Sequence, residues 1–350
     1  MRILETTGRS GQYQTLLGPP PGSRFIRWIA WSLCGLTLAF LVNNALTFWM
    51  DFPGVWPLLH HYGLLGEVKA LEGQALELSR YQMLGYAASF LVPLPFVVRT
   101  IGRTLRHDAI AIANLTNFVI KVAFWSILLI GLVDMTISFL RVEGMLADVV
   151  GASLETELGR SKFRGPYVHV PLIGVAVLFA IFFRTLGFHW LALLVVLAEL
   201  SIVLSRFVFS YEQAFQGDLV RFWYAGLFLF ASAYTLFEDG HVRVDVLYAG
   251  FSRPARGRVN TIGAILLGMS LCWVVLLVGM WDKTSILNSP LLTFEVSQSG
   301  FGMYVKYWMA TFLSVFAVSM NLQFTSSLLE GIADWRGEPG ARQMPEAGGH

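Results

Sequence analysis

Long apolar runs separated by short polar stretches organise the chain. A helix needs about 20 apolar residues to cross the hydrocarbon core of a bilayer. The first such run, 28–50, holds no charge. The second, 83–98, is shorter and contains Pro93 and Pro95, so it reads as a kinked span or a re-entrant segment. The third, 118–140, carries Lys121 near one end and Asp134 inside. Runs 167–183 and 186–205 are separated only by Arg184 and its neighbours, which predicts a tight helical hairpin, and Glu199 is embedded in the second. The sixth run is 222–237, begun a turn earlier near Asp218. Runs 260–281 and 307–329 lack charge. The pattern predicts an all-α polytopic membrane bundle of about eight transmembrane helices.

Between the first two spans, Leu64, Leu65, Val68, Leu71, Ala75 and Leu76 recur at helical spacing among Glu67, Lys69, Glu72 and Glu77. This predicts an amphipathic helix near 60–80, lying at the interface or on the bundle. Residues 146–164 are polar and read as a loop. The expected organisation is a polar N-terminal tail (1–24), an extension of about four spans (25–184), a four-helix domain (185–335) and a polar C-terminal tail (336–350). The Pro19-Pro20-Pro21-Gly22 lead-in and the length of the first run argue for an uncleaved first span rather than a signal peptide.

Composition agrees. Apolar residues make up 55% of the chain, charged residues only 14%, and mean hydropathy is +0.60. Soluble proteins are about 25% charged, so a soluble enzyme, a disordered chain and a secreted disulfide scaffold are excluded. Net charge is +2, which implies no nucleic-acid partner. Fourteen of the basic residues fall on the side that holds the N-terminus and nine on the other. This bias predicts that both termini are cytoplasmic.

Catalytic signatures are missing: there is no His-Glu-x-x-His, no Gly-x-Ser-x-Gly and no Walker loop. Cys34 and Cys272 lie inside apolar runs and are read as buried small hydrophobes, with no metal or disulfide pair. A haem needs two facing histidines. His169 and His189, at the ends of adjacent spans, are the one such pairing, and the competing reading is interfacial histidines bonded to backbone or headgroups. Asp134 and Glu199 are costly within a membrane. Ion coupling and interhelical or intersubunit hydrogen bonding are the two readings, and the lack of a repeat of broken helices favours the second. Small residues in the last two spans (Gly263, Ala264, Gly268, Ser270, Ala310, Ser314, Ala317, Ser319) permit close helix packing. Trp28, Trp49, Trp56, Trp223, Trp273, Trp281 and Trp308 fit interfacial or lipid-facing anchors.

The most informative stretch is 206–248. It holds Arg206-Phe207-Val208-Phe209, then Asp218 opening a helix with Arg221 and Trp223, then Glu238-Asp239-Gly240-His241-Val242-Arg243-Val244-Asp245. With Gly302-Met303-Tyr304-Val305-Lys306-Tyr307 before the last run, these residues resemble the small membrane subunit of tripartite ATP-independent periplasmic (TRAP) transporters. The resemblance covers about 186–333. Many members open the second helix with Trp-x-Glu-Glu; here Gln216-Gly217-Asp218 leaves the acidic role to Asp218 alone.

What the resemblance implies is a non-enzymatic subunit of a bacterial inner-membrane importer. A periplasmic binding protein captures an organic acid, a large permease subunit moves it with sodium, and the small subunit braces the large one. Membrane lipids are the other expected partner, and no cofactor is expected. Arg206, Asp218, Arg221, Trp223, His241, Arg243, Asp245 and Lys306 are the candidate contacts with the large subunit. A self-contained ion-coupled transporter and a haem-bearing respiratory subunit are the alternatives.

Overall fold

The computed structural model describes residues 19–183, 188–237, 248–296 and 302–340. Among them there are helices and no strand. The helices are α1 (Ser23–Trp49), α2 (Trp56–His61), α3 (Gly73–Leu91), α4 (Pro93–Arg99), α5 (Leu105–Val142), α6 (Leu146–Val150), α7 (Ala152–Leu158), α8 (Ser161–Arg164), α9 (Val170–Phe182), α10 (Phe188–Phe209), α11 (Ala214–Phe237), α12 (Arg253–Gly263), α13 (Ser270–Gly279), α14 (Asn288–Thr293) and α15 (Lys306–Trp335). Eight stretches among these residues are long and apolar enough to span: α1, α3–α4, α5, α8–α9, α10, α11, α12–α13 and α15. The chain is therefore an all-α, multi-pass membrane protein.

Several boundaries differ from the sequence expectation. The amphipathic helix near 60–80 is not one helix. After α2, residues 62–72 are non-helical, and residue 73 onward joins the second span. Here Gly63 and Gly66 take positive φ, which breaks a helix despite the favourable spacing of leucines. The second span continues through Val92, whose backbone stays helical, and Pro93 then occupies the first turn of α4, where its missing N–H is tolerated. The stretch 146–164 is three short helices, not a plain loop. Helix α5 starts at Leu105, well before the apolar run at 118, and extends for 38 residues. The predicted hairpin turn at Arg184 lies outside the described residues.

The chain forms two compact units. One comprises the described residues within 1–113, 242–270 and 322–350. Within it α1 packs along α3 and α4. Gly35 lets the two backbones approach: a Cβ there would lie 3.1 Å from the carbonyl of Ser89. Gln82 donates to Asn43 Oδ1 and Thr47 Oγ1, both at 2.9 Å, and accepts from Gly54 N–H at 2.8 Å. The returning loop is thereby pinned to the helix pair, with Gly54 supplying a φ of 85°.

In the same unit α12 lies against the end of α15. A Cβ on Gly257 would meet the Trp335 N–H, and would lie 2.6 Å from the carbonyl of Gly331. Small residues permit this backbone contact, and nothing larger fits without parting the helices. Gly257→Ala is expected to lower stability by about 1–3 kcal/mol, as overpacking does. Gly263→Ala, at a position with open space, is expected to leave it unchanged. Thermal melting of the two variants in the same detergent checks the contrast.

The second unit comprises the described residues within 114–241 and 271–321. Its core joins Ile120, Phe124, Ile127 and Ile130 of α5 to Leu191, Val195 and Ala198 of α10, Phe222 and Phe230 of α11, and Phe312 of α15. Trp223 is buried here at 3% exposure, its indole N–H on the carbonyl of Ile127. This corrects the anchor reading of Trp223. An indole buried on a neighbouring helix cannot sit in the lipid interface.

Candidate functional site

The second unit is organised around Asp134, on the inner face of α5. One carboxylate oxygen accepts from Arg164 Nη1 at 2.8 Å and from His169 Nε2 at 3.1 Å. The other accepts the Tyr304 backbone N–H at 2.7 Å. Arg164 also reaches Ser138 Oγ at 3.3 Å and the carbonyl of Leu158, and its guanidinium lies 4.2 Å from the Tyr304 ring centroid. The side chains of Asp134, Arg164 and His169 are wholly buried.

Local sequence explains how these groups arrive. Pro166 follows Arg164 and interrupts regular helix hydrogen bonding. The chain takes a π turn over Gly165–His169, a common form of such interruptions. That turn places His169 on the same side as Arg164. Gly165 is required beside it, because a Cβ would strike the Phe294 ring.

The tautomer of His169 follows from its partners. The Trp308 indole can only donate, and it points at Nδ1 from 3.0 Å. Nδ1 therefore accepts, and the proton sits on Nε2, facing Asp134. The Tyr307 hydroxyl also contacts Nδ1. Both ring nitrogens are thus occupied, and His169 has none left to ligate a haem iron. His189 is exposed. The pairing of His169 with His189 for haem is corrected on this ground, as is the reading of His169 as an interfacial residue.

The first unit holds two further clusters that local sequence did not reveal. Arg27 donates Nε to Asp108 at 2.6 Å, and its other nitrogens reach the carbonyl and hydroxyl of Thr100 at 2.8 and 2.6 Å. Trp31 donates to the same Asp108 oxygen at 3.1 Å, and Arg103 lies 3.0 Å from the other. Arg106 pairs with Glu330, with Asp334 at 2.7 Å, and with the carbonyls of Glu338 and Pro339. Arg253 lies 3.0 Å from the same Asp334 oxygen. The described end of the tail is thus tied down. Burial raises the Glu338 carboxyl above its usual range, against the pull of Arg336 and Arg106.

The remaining predicted residues are dispersed. Asp218 accepts from the Met303 N–H at 3.0 Å and lies 3.6 Å from Arg221, which is mostly exposed. Arg206 pairs with Glu212 at 3.4 Å, and Lys306 with Glu295, all on the surface. Trp223 is engaged inside the chain. His241, Arg243 and Asp245 lie outside the described residues. Glu199 is exposed on α10.

The second unit contains an apolar and a polar recess among its described residues. The mostly apolar recess of about 360 Å³ is walled by Phe118, Ile127, Ile130, Phe222, Phe230 and Phe312, and the donors of its polar lining residues Ser126, Thr311 and Trp308 are spent on Val122, Tyr307 and His169. A polar one of about 460 Å³ is lined by Glu212, Gln213, Gln216, Asp218 and Arg221, where two acids face one cation. Among the described residues no group of three or more His, Cys, Asp or Glu side chains is placed to hold a metal ion. The arrangement pins helices together.

Residues 192–334 match the family model described as tripartite ATP-independent periplasmic transporters, DctQ component. No curated protein and no solved structure matches the chain.

Proposed function

We propose that this chain, whose residues 192–334 match the family model of the DctQ component of tripartite ATP-independent periplasmic transporters, is the small membrane subunit of such a transporter, with its scaffold enlarged by the N-terminal helices. The family is a transporter component rather than an enzyme family, and it works with a large permease and a periplasmic binding protein. In this reading the permease moves an organic acid with sodium in the bacterial inner membrane, and the present chain holds the permease's static part in place.

The observation that carries the enlarged scaffold is the Asp134 cluster. Asp134, Arg164 and His169 precede the family segment, while Tyr304, Tyr307 and Trp308 lie inside it. A buried charge left without its partner is strongly destabilising, so the two parts of the chain depend on one another. The oxygens of Asp134 are already taken up by Arg164, His169 and Tyr304, which supports a structural role over ion coupling. In the second unit the cluster joins residues 134–169 to the family segment, and in the first unit Arg106 joins its helix to Glu330 and Asp334 of that segment, so in this reading the N-terminal helices add surface to the frame. Arg206, Asp218, Arg221, His241, Arg243, Asp245 and Lys306 remain the proposed contacts with the permease, with Trp223 supporting them from inside.

The test is uptake of organic acid into cells that express the binding protein and the permease. Sodium-dependent uptake is expected only when this chain is also present. Uptake of equal rate without it would overturn the reading. For orientation, cytoplasmic termini place the exposed Ser252 on the inner side. Ser252→Cys is expected to react with an impermeant maleimide only after permeabilisation. Labelling in intact spheroplasts would reverse the topology.

A further inference from the structure

The two acidic residues inside predicted spans have opposite surroundings. Asp134 is enclosed and bonded to three groups. Glu199 is exposed and hydrogen-bonds to no described residue. It sits halfway along α10, about 15 Å from either end at 1.5 Å per residue. That is mid-membrane depth for a spanning helix.

The outer side of α10 around it is apolar and open. Val196, Leu200, Val203 and Phe207 are each about half exposed or more and continue the surface along the helix. Leu191, Val195 and Ala198 turn the other way, into the core. Of the eight candidate spans α10 is the least enclosed. Lipid tails suit the apolar side chains. They do not suit Glu199, because a carboxyl in hydrocarbon has neither water nor protein to bond. A span that only faced lipid would gain by having leucine there.

We propose that this face of α10 docks on a transmembrane helix of the large permease, and that this helix presents a hydrogen-bond-donating side chain to Glu199 at mid-membrane. The inference rests on the functional reading above and names the surface through which it acts. A hydrogen bond from a partner supplies what lipid cannot. A second copy of this chain is less suited, since its symmetric contact would set one carboxyl against another. Arg206, seven residues on and exposed, lies two helical turns along the same side and extends the contact toward the membrane surface.

The experiment uses the full chain co-expressed with its cognate permease, purified in mild detergent. Glu199→Leu is expected to lower co-purified permease about tenfold or more, the effect of losing one desolvated hydrogen bond to a charged or polar partner. Glu199→Gln, which keeps an acceptor, is expected to retain the complex. The melting temperature of isolated Glu199→Leu is expected to equal or exceed that of the parent, so loss of the complex is not loss of the fold. A photo-crosslinker at Val196 or Val203 is expected to capture the permease, and one at Leu178, exposed on α9, is not. Undiminished complex with Glu199→Leu, or crosslinks from Val196 and Val203 only to lipid or to another copy of this chain, would overturn the proposal while leaving the functional reading intact. Failure of the parent chain to bind the permease at all would overturn both.

Discussion

Asp134→Ala is expected to lower the unfolding free energy by about 3–5 kcal/mol, the cost of breaking a buried ion pair by deleting one partner. The change strands Arg164 with no carboxylate in a site without exposure, and it also removes the acceptor of His169 Nε2–H and of the Tyr304 N–H. Arg164→Leu is expected to cost a similar amount, because Asp134 then keeps only the histidine and one backbone donor. The double variant Asp134→Leu with Arg164→Leu is expected to fall well short of the sum, with a coupling of about 1–3 kcal/mol. Removing both charges leaves none stranded. Thermal melting of the four proteins in one detergent gives the cycle. Additive losses would mean that the two side chains do not act as a pair.

The second large effect concerns Arg106. Its guanidinium gathers Glu330, Asp334 and two carbonyls of the tail. Arg106→Ala removes the guanidinium that bridges these two carboxylates, while Arg253 still reaches Asp334. We expect a loss of about 2–4 kcal/mol, smaller than at Asp134 because Glu330 and Asp334 keep 21% and 27% of their exposure. Arg106→Lys is expected to rescue little, since one ammonium cannot reproduce the planar fork. Added salt is expected to restore part of the loss by screening the acids. Trypsin provides a second readout: cleavage after Arg336 is expected to speed up in the variant, because the tail has lost its anchor. An unchanged cleavage rate and melting temperature would mean that the cluster is only a surface array.

The spans were legible in the sequence because each is a predominantly apolar run, even where a proline or a single charge interrupts it. Helix ends were less so. Helix α5 begins at Leu105 although Arg106, His107 and Asp108 look like loop residues. Their polarity is met by Arg27, 81 positions before Asp108, and by Glu330, 224 positions after Arg106. Local pattern carries no trace of such pairing. Arg27 likewise reads as one more basic residue before a first span, yet it is fully buried. The two prolines of 83–98 were legible, but not that Val92 would stay helical between α3 and α4.

The candidate site was readable in part. Asp134 stood out as a charge within an apolar run. Its partners did not, since Arg164 lay in a polar stretch read as a loop and His169 at a span's edge. One signal was available: Arg164 and Pro166 stand immediately before an apolar run, a place where a bent turn aims a basic side chain inward. Trp223 shows the opposite error. An aromatic near a span's start suits the interface, and only the tertiary contact with Ile127 sets it inside.

The central claim is that this chain is the small subunit of a TRAP transporter, and co-purification tests it most directly. Full-length tagged chain, co-expressed with its cognate large permease and extracted in mild detergent, is predicted to elute with the permease as one complex of fixed stoichiometry. A chain that elutes alone, while the permease and its binding protein still drive full sodium-dependent uptake in cells lacking it, would contradict the account.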